Sequence, residues 1–79
     1  MQLSKAIKIR IDNLLEERSL TRHSLSLLAG ISPSVLTDLY RGKVSYLRID
    51  SLLHICEGLG IELRDFFDDD VFNDVNAEK

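Results

Sequence analysis

Four polar side chains suited to hydrogen bonding, Ser34, Thr37, Asp38 and Arg41, recur three or four residues apart. That spacing places them on one face of an α-helix. Hydroxyl groups donate and accept single hydrogen bonds, a carboxylate accepts them, and a guanidinium group binds phosphate. Such a face could contact the base edges and phosphates of a nucleic acid. An ordinary solvated helix surface carries the same residue types, so the surrounding elements must decide between the two interpretations.

The other side chains that could act in catalysis or bind a metal form no recognisable pattern. His54 and Cys56 are two residues apart, so they do not share a helix face, and no second pair of ligands accompanies them. The sequence contains no nucleophile with a partner base, no carboxylate pair and no glycine-rich phosphate loop. We therefore expect no enzyme activity, no metal and no cofactor, and we expect Cys56 to be a small core residue.

Turn signals on both sides define the helix that carries the polar face. Ser32 predicts an N-cap, Pro33 suits the first helical position, and Gly42 is expected to end the helix. Gly30 predicts a left-handed stop after a short preceding helix, Arg22 to Ala29, which Thr21 caps. A three-residue corner therefore joins two short helices, which is the arrangement of a helix-turn-helix unit.

Three further helices are predicted around this unit, so the fold class is all-α with five helices. The first covers about 3–17 with Ser4 as a possible cap, the fourth covers about 48–59, and the fifth is the short segment ELRDFF. Apolar residues at helical spacing predict the inward faces. For the first helix they are Leu3, Ile7, Ile11, Leu14 and Leu15, and for the fourth Ile49, Leu52, Leu53, Cys56 and Leu59.

Charge separates a mildly basic body from an acidic end. Residues 1–50 hold eight basic and five acidic side chains, whereas residues 51–79 hold two basic and eight acidic ones. We divide the chain into a domain at 1–67 and an acidic, partly apolar tail at 68–79. Helix 5 and the tail are interpreted as a homodimer contact through Phe66, Phe67, Val71 and Phe72. One alternative is that Phe66 and one neighbour close the core while the residues after Asp68 fray, and another is that the tail binds another protein.

Composition excludes several classes of protein. Apolar residues make up 44% and charged residues 29% of the 79 positions, as in ordinary globular domains. No apolar run approaches the length of a membrane span, and the first residues lack the apolar segment of a signal peptide. The single cysteine cannot form an internal disulfide, so we expect a cytoplasmic protein.

The residues from Thr21 to Lys43 read T-x-x-x-L-x-x-x-A-G-I-S-P-S-x-L-x-x-L-x-x-G-K, and LLHICEGLGIELRDFF follows from Leu52. This pattern resembles the Cro and lambda-repressor-like helix-turn-helix family, also called the XRE family, over roughly 5–67. The resemblance implies a compact five-helix DNA-binding domain with the helix-turn-helix formed by helices 2 and 3. It also implies a bacterial or phage transcription regulator that binds double-stranded DNA, usually as a dimer.

The resemblance also implies roles for individual positions. The helix at 33–41 would read the major groove, and its flanks would contact the phosphate backbone. The residues implied to face the groove are Pro33, Ser34, Thr37 and Asp38, and those implied to contact phosphates are Arg22, Arg41 and Lys43, with Tyr46 and Arg48 as further neighbours. The implied function is a sequence-specific regulator, in the first instance a repressor. The alternatives are the antitoxin of a toxin–antitoxin pair and a protein-interaction module that has lost DNA binding.

The chain departs from the family pattern at positions that matter for binding. Glutamine is common where Arg22 stands, and glutamate is common where Tyr40 stands, so a frequent structural ion pair is missing. No arginine, asparagine or glutamine lies at positions 33, 34, 37 or 38. Those are the side chains that read bases with two hydrogen bonds, worth about 1–3 kcal/mol each. We therefore expect modest direct readout, supplemented by DNA shape or by dimer spacing.

Overall fold

Five α-helices and a short 3-10 helix make up the part of the chain that the structure, a computed structural model, describes, residues 1–41 and 47–76. The helices are α1 (Leu3–Arg18), α2 (Arg22–Ala29), α3 (Pro33–Tyr40), α4 (Ile49–Leu59) and α5 (Leu63–Phe67), followed by the 3-10 helix at Asp70–Asp74. The described residues contain no strand, apart from an isolated bridge between Gln2 and Asn76. The predicted all-α class is confirmed.

The corner between α2 and α3 has the predicted caps. Thr21 Oγ1 accepts a hydrogen bond from the backbone N–H of Ser24 at 3.0 Å. Gly30 ends α2 in the left-handed region with φ 68°, which glycine adopts without steric cost. Ser32 caps α3 and Pro33 follows at its start. The helix ends at Tyr40 with Arg41 as its C-cap, and Gly42, which we expected to end it, lies outside the described residues.

The core lies where α1, α2, α3 and α4 meet, closed by Phe66 of α5. Its fully buried large side chains are Ile11, Leu25, Leu39, Ile55, Cys56 and Phe66. Burial also raises the pKa of the Cys56 thiol above its ordinary value. The prediction that Cys56 is a core residue is confirmed.

Two helix faces differ from the predictions. Ser4 is buried within α1 rather than capping it, since α1 begins one residue earlier, and Leu3 remains 45% exposed. On α4, Ile49 is 76% and Leu53 is 41% exposed, whereas Ile55, which the prediction omitted, is fully buried. The physical reason is geometric. The stripe Leu52, Ile55, Cys56, Leu59 has the i, i+3, i+4, i+7 spacing of one helix face, and Ile49 and Leu53 lie beside it.

Gly58 brings α4 into direct contact with the backbone of α2. A Cβ atom built at Gly58 would lie 2.8 Å from the backbone nitrogen of Ala29 and 3.0 Å from the carbonyl carbon of Leu28. The absence of a side chain at this position therefore allows the two helices to approach closely. Because α2 leads into the corner before α3, this contact supports the placement of the helix-turn-helix unit.

The acidic tail is folded back onto α1 as far as Asn76. Arg10 of α1 donates hydrogen bonds to the carbonyl oxygens of Phe66 at 2.8 Å and Asp65 at 2.9 Å, and to the carboxylate of Asp69 at 3.1 Å. The backbone N–H of Asn76 donates to the carbonyl of Met1 at 3.0 Å. Residues 69–76 are therefore packed against the body. The alternative that the residues after Asp68 fray is wrong for this segment.

The aromatic residues of α5 and the tail have different environments. Phe66 is fully buried in the core of its own domain, so the prediction that it lies in a dimer surface is wrong. Phe67 is 43% exposed, and Val71 and Phe72 are half-buried. The ring centroids of Phe67 and Phe72 are 5.0 Å apart, so these two residues form one aromatic corner.

The hydrogen bonds of Arg10 predict a measurable loss of stability when its guanidinium is removed. Arg10→Leu should lower the free energy of unfolding by about 1–2 kcal/mol, because two carbonyl groups at the end of α5 and a partly buried carboxylate lose a charged donor. Urea denaturation measures this change. Arg18→Leu is the control, since within residues 1–41 and 47–76 Arg18 forms a long ion pair of 3.8 Å with the exposed Glu17, and its replacement should cost far less. Equal losses in the two variants would contradict the assignment.

Candidate nucleic-acid interface

The outward face of α3 presents most of the residues predicted to read bases. Pro33, Ser34 and Thr37 are exposed, and Asp38 is half-buried. On the opposite face, Leu36 and Leu39 are buried with 3% and 1% exposure, so they anchor α3 in the core. The helix therefore has a fixed inner face and a polar outer face, which is the arrangement a groove-reading helix requires. The other predicted site residues, which were implied to contact phosphates beside this helix, are Arg22, Arg41 and Lys43.

Ser34 already makes contacts with the cap of its own helix. Its hydroxyl oxygen lies 2.8 Å from that of Ser32, and its backbone N–H donates to Ser32 Oγ at 3.3 Å. A hydroxyl group has one donor and two acceptor positions, so one hydrogen bond leaves it further capacity. Thr37, one turn along, extends the same exposed surface.

An open cleft of about 430 Å³ lies between the start of α2 and the outer face of α3. It is lined by Arg22, His23, Pro33, Leu36, Thr37, Tyr40 and Arg41. Two guanidinium groups, from Arg22 and Arg41, therefore border one concave surface next to Thr37. Guanidinium groups bind phosphate oxygens with two parallel hydrogen bonds, so the two arginines give the cleft side chains able to bind an anion.

Arg22 is held at this cleft by residues of two other helices. Its Cζ atom lies 3.6 Å from the centroid of the Tyr40 ring, which is a close cation–π contact. Its Nη2 atom lies 3.8 Å from Asp12 Oδ1, while the Tyr40 hydroxyl donates a hydrogen bond of 2.8 Å to the same oxygen. The side chain of Arg22 nevertheless remains 56% exposed. These contacts join α1, α2 and α3 around one basic group.

The hydroxyl of Tyr40 stays protonated in this arrangement. Partial burial, and then the hydrogen bond to Asp12, raise the pKa of Tyr40 above its ordinary value of 10. The neutral phenol is therefore the donor to Asp12 at neutral pH. Tyr40 thus links α3 to α1 through this hydrogen bond.

The comparison with known families agrees with this geometry. A family model described as the Cro/C1-type HTH DNA-binding domain matches residues 10–70. The chain belongs to this family. Searches of curated proteins and of solved structures gave no significant match. The match covers most of the chain and includes all of α2 and α3, and it confirms the resemblance to the XRE-like helix-turn-helix family.

The Cro/C1-type assignment makes the chain a DNA-binding domain of the kind found in transcription regulators. Domains of this family are typically not enzymes. Across residues 1–41 and 47–76, no helix combines the length and apolar character needed to span a bilayer. The same described residues include no cluster of three or more histidine, cysteine or acidic side chains able to hold a metal ion.

One residue near the Cro/C1-type site was not predicted from the sequence, and two predicted residues lie outside the described part of the chain. Asp12 was not identified as a neighbour of Arg22 and Tyr40, because no local pattern links residues that are 28 positions apart. Arg48, named as a further neighbour, is engaged by Asp50 at 2.9 Å next to the start of α4. Lys43 and Tyr46 lie outside the described residues.

Proposed function

We propose that this Cro/C1-type domain is a sequence-specific repressor that places α3 in the major groove of operator DNA. The observation that carries the proposal is the outer face of α3, where Ser34 and Thr37 are exposed and Thr37 lines one cleft with Arg22 and Arg41. The helix would read base edges, and the arginines would bind the phosphates on either side. Such a protein would act in the cytoplasm of a bacterium or of a phage-infected cell.

Base reading by this helix would depend on few and weak contacts. Ser34 and Thr37 can each form single hydrogen bonds, and the carbon atoms of Pro33 and Thr37 can contact a thymine methyl group. Asp38 can accept a hydrogen bond from the N4 amino group of cytosine. We therefore propose that DNA shape and the spacing of two half-sites supply the rest of the specificity.

Two copies would bind one operator. We propose that they associate through the aromatic corner of Phe67 and Phe72, together with the neighbouring Val71. Support comes from Phe67, which is 43% exposed and contacts Phe72, so an apolar surface reaches solvent at this corner. A two-fold contact there would set two α3 helices about 34 Å apart, which is one turn of DNA.

The function is tested by selecting bound fragments from random duplex DNA against a control without protein. An enriched, two-fold symmetric motif supports the proposal. Placing that motif between a promoter and a reporter gene then tests repression, which should fall when the motif is scrambled. The absence of any enriched motif would favour the protein-interaction module.

Variants of α3 should separate base reading from backbone binding. Thr37→Ala and Ser34→Ala should each lower the affinity for the enriched motif more than the affinity for scrambled DNA, because base contacts carry sequence information. Arg41→Ala should weaken both affinities by about the same factor, since phosphates are the same in every sequence. Fluorescence anisotropy with the two duplexes measures these ratios. If all three variants affect the two duplexes alike, α3 is not the reading helix.

The aromatic corner predicts a change in oligomeric state. Phe67→Ser should shift the protein from dimer to monomer at micromolar concentration and weaken operator binding, because the exposed ring would supply the centre of the contact. Sedimentation velocity measures the shift. Phe67 is a better target than Phe72, which also packs against the core. Leu27→Ser is the matched control, since Leu27 is 70% exposed on α2. A Phe67→Ser protein that remains dimeric would place the contact elsewhere.

A further inference from the structure

Tyr40 lies where α1, α2 and α3 meet, and it contacts each of its two polar neighbours in a different way. The face of its ring lies under the guanidinium of Arg22, with 3.6 Å between Cζ and the ring centroid. Its hydroxyl donates to Asp12 Oδ1 at 2.8 Å. The hydroxyl end of the ring is held by Asp12 of α1, and the other end is held by the backbone at the end of α3. The face of the ring is therefore a rigid support for Arg22 of α2.

Stacking leaves the hydrogen-bonding edge of Arg22 available. A guanidinium group is planar, so a cation–π contact uses its face while its N–H donors point outward in the plane. Asp12 Oδ1 is 3.8 Å from Nη2, which is longer than a hydrogen bond, and the side chain of Arg22 is 56% exposed. The exposed part of the Arg22 guanidinium can therefore approach an anion at the cleft that Thr37 and Arg41 also line.

We propose that Tyr40 is a positioning residue for DNA binding: it holds the guanidinium of Arg22 with its N–H donors directed to a backbone phosphate. This inference rests on the proposed function. An unsupported arginine side chain has many rotamers, and ordering it on binding costs free energy. A guanidinium already stacked on a fixed ring loses less of that freedom.

The chemistry of position 40 favours tyrosine over an acidic residue for this purpose. A carboxylate at position 40, added to that of Asp12, would compete with a phosphate for the N–H donors of Arg22. The Tyr40 ring carries no formal charge and contacts the guanidinium through its face, while its hydroxyl donates to Asp12. Tyrosine therefore links α1 to α3 and supports the arginine without a second carboxylate.

A double-mutant cycle tests the proposal. The variants are Tyr40→Leu, Arg22→Ala and the two combined, with affinity measured by anisotropy on the enriched duplex and folding measured by thermal denaturation. Tyr40→Leu should weaken binding about two- to five-fold per subunit, which is the size of an exposed cation–π contact. Tyr40→Phe keeps the ring and should retain affinity within about two-fold of the original. In the Arg22→Ala background, Tyr40→Leu should have no further effect on affinity.

The outcomes distinguish this inference from the function on which it rests. If Tyr40 only stabilises the fold, Tyr40→Leu will weaken binding by the same factor with and without Arg22, and the inference is wrong while the proposed function stands. If Arg22→Ala binds the duplex as well as Arg64→Ala, a control on α5, the phosphate role of Arg22 fails and the inference fails with it. Should Tyr40→Leu not fold, Tyr40→Met takes its place in the cycle, because methionine fills irregular space.

Discussion

Replacing Arg22 and Arg41 together by alanine should weaken operator binding by about a hundredfold or more at moderate salt, with the fold intact. Both guanidinium groups border the cleft beside Thr37, so the double variant removes two candidate phosphate contacts per subunit. In the proposed dimer that is four contacts. By the counterion-release rule, the slope of log affinity against log salt should become shallower by roughly 3.6.

The matched control for this experiment is Lys5→Ala with Arg64→Ala, which removes the same charge from α1 and α5. Anisotropy titrations at several salt concentrations give affinity and slope for all three proteins, and circular dichroism checks the helical content. A loss of equal size in the control would mean that binding depends on overall charge. That result would contradict the proposal that the cleft between α2 and α3 binds the DNA backbone.

Gly58→Val should lower the free energy of unfolding by about 3 kcal/mol, with DNA binding lost at temperatures where the variant is unfolded. A Cβ at Gly58 would lie 2.8 Å from the backbone nitrogen of Ala29, and neither helix backbone can move away without disturbing the core. Helix propensity alone predicts the opposite sign, because valine is a better helix former than glycine. The close contact between α4 and α2 is therefore expected to outweigh propensity.

Glu57→Val is the matched control for Gly58→Val, since it introduces the same side chain at the adjacent, exposed position of α4. Urea denaturation should show a change of only about 0.5 kcal/mol for this control. A Gly58→Val protein as stable as Glu57→Val would show that α4 does not pack against the backbone of α2 as described.

The helix ends were predictable from sequence because they depend on neighbouring residues. Thr21, Ser32 and Pro33 mark helix starts, and Gly30 and Gly60 end helices with φ of 68° and 71°. Each of these signals is a steric or hydrogen-bonding property of a few consecutive residues. The bounds of α2 were therefore predicted correctly, and α3 was predicted to within one residue.

The inward face of α4 was less predictable because apolar residues occupy more than one side of it. Ile49, Leu53 and Ile55 each have helical spacing from other apolar residues of α4. Which of them faces the core depends on where α2 and α5 pack. The close approach at Gly58 is also a tertiary property, since nothing in its neighbours distinguishes it from a tolerated helix glycine.

The candidate site divides in the same way. The exposed face of α3 follows from helical spacing and the corner before it, and the structure confirms that Ser34 and Thr37 are exposed. The support of Arg22 by Tyr40 and Asp12 does not follow from sequence, because residues of three helices meet there through side chains 10 to 28 positions apart. Long-range contacts of this kind require the fold to be known first.

The most direct test of the central claim is a titration of backbone amide chemical shifts with the enriched duplex, compared with a scrambled duplex of the same length. If α3 reads the major groove, the largest shifts specific to the enriched duplex should map to residues 33–41. Shifts at Arg22 and His23 should appear with both duplexes, because these residues line the cleft that is proposed to bind the DNA backbone. Specific shifts confined to α5 and the tail, with α3 unchanged, would contradict the account.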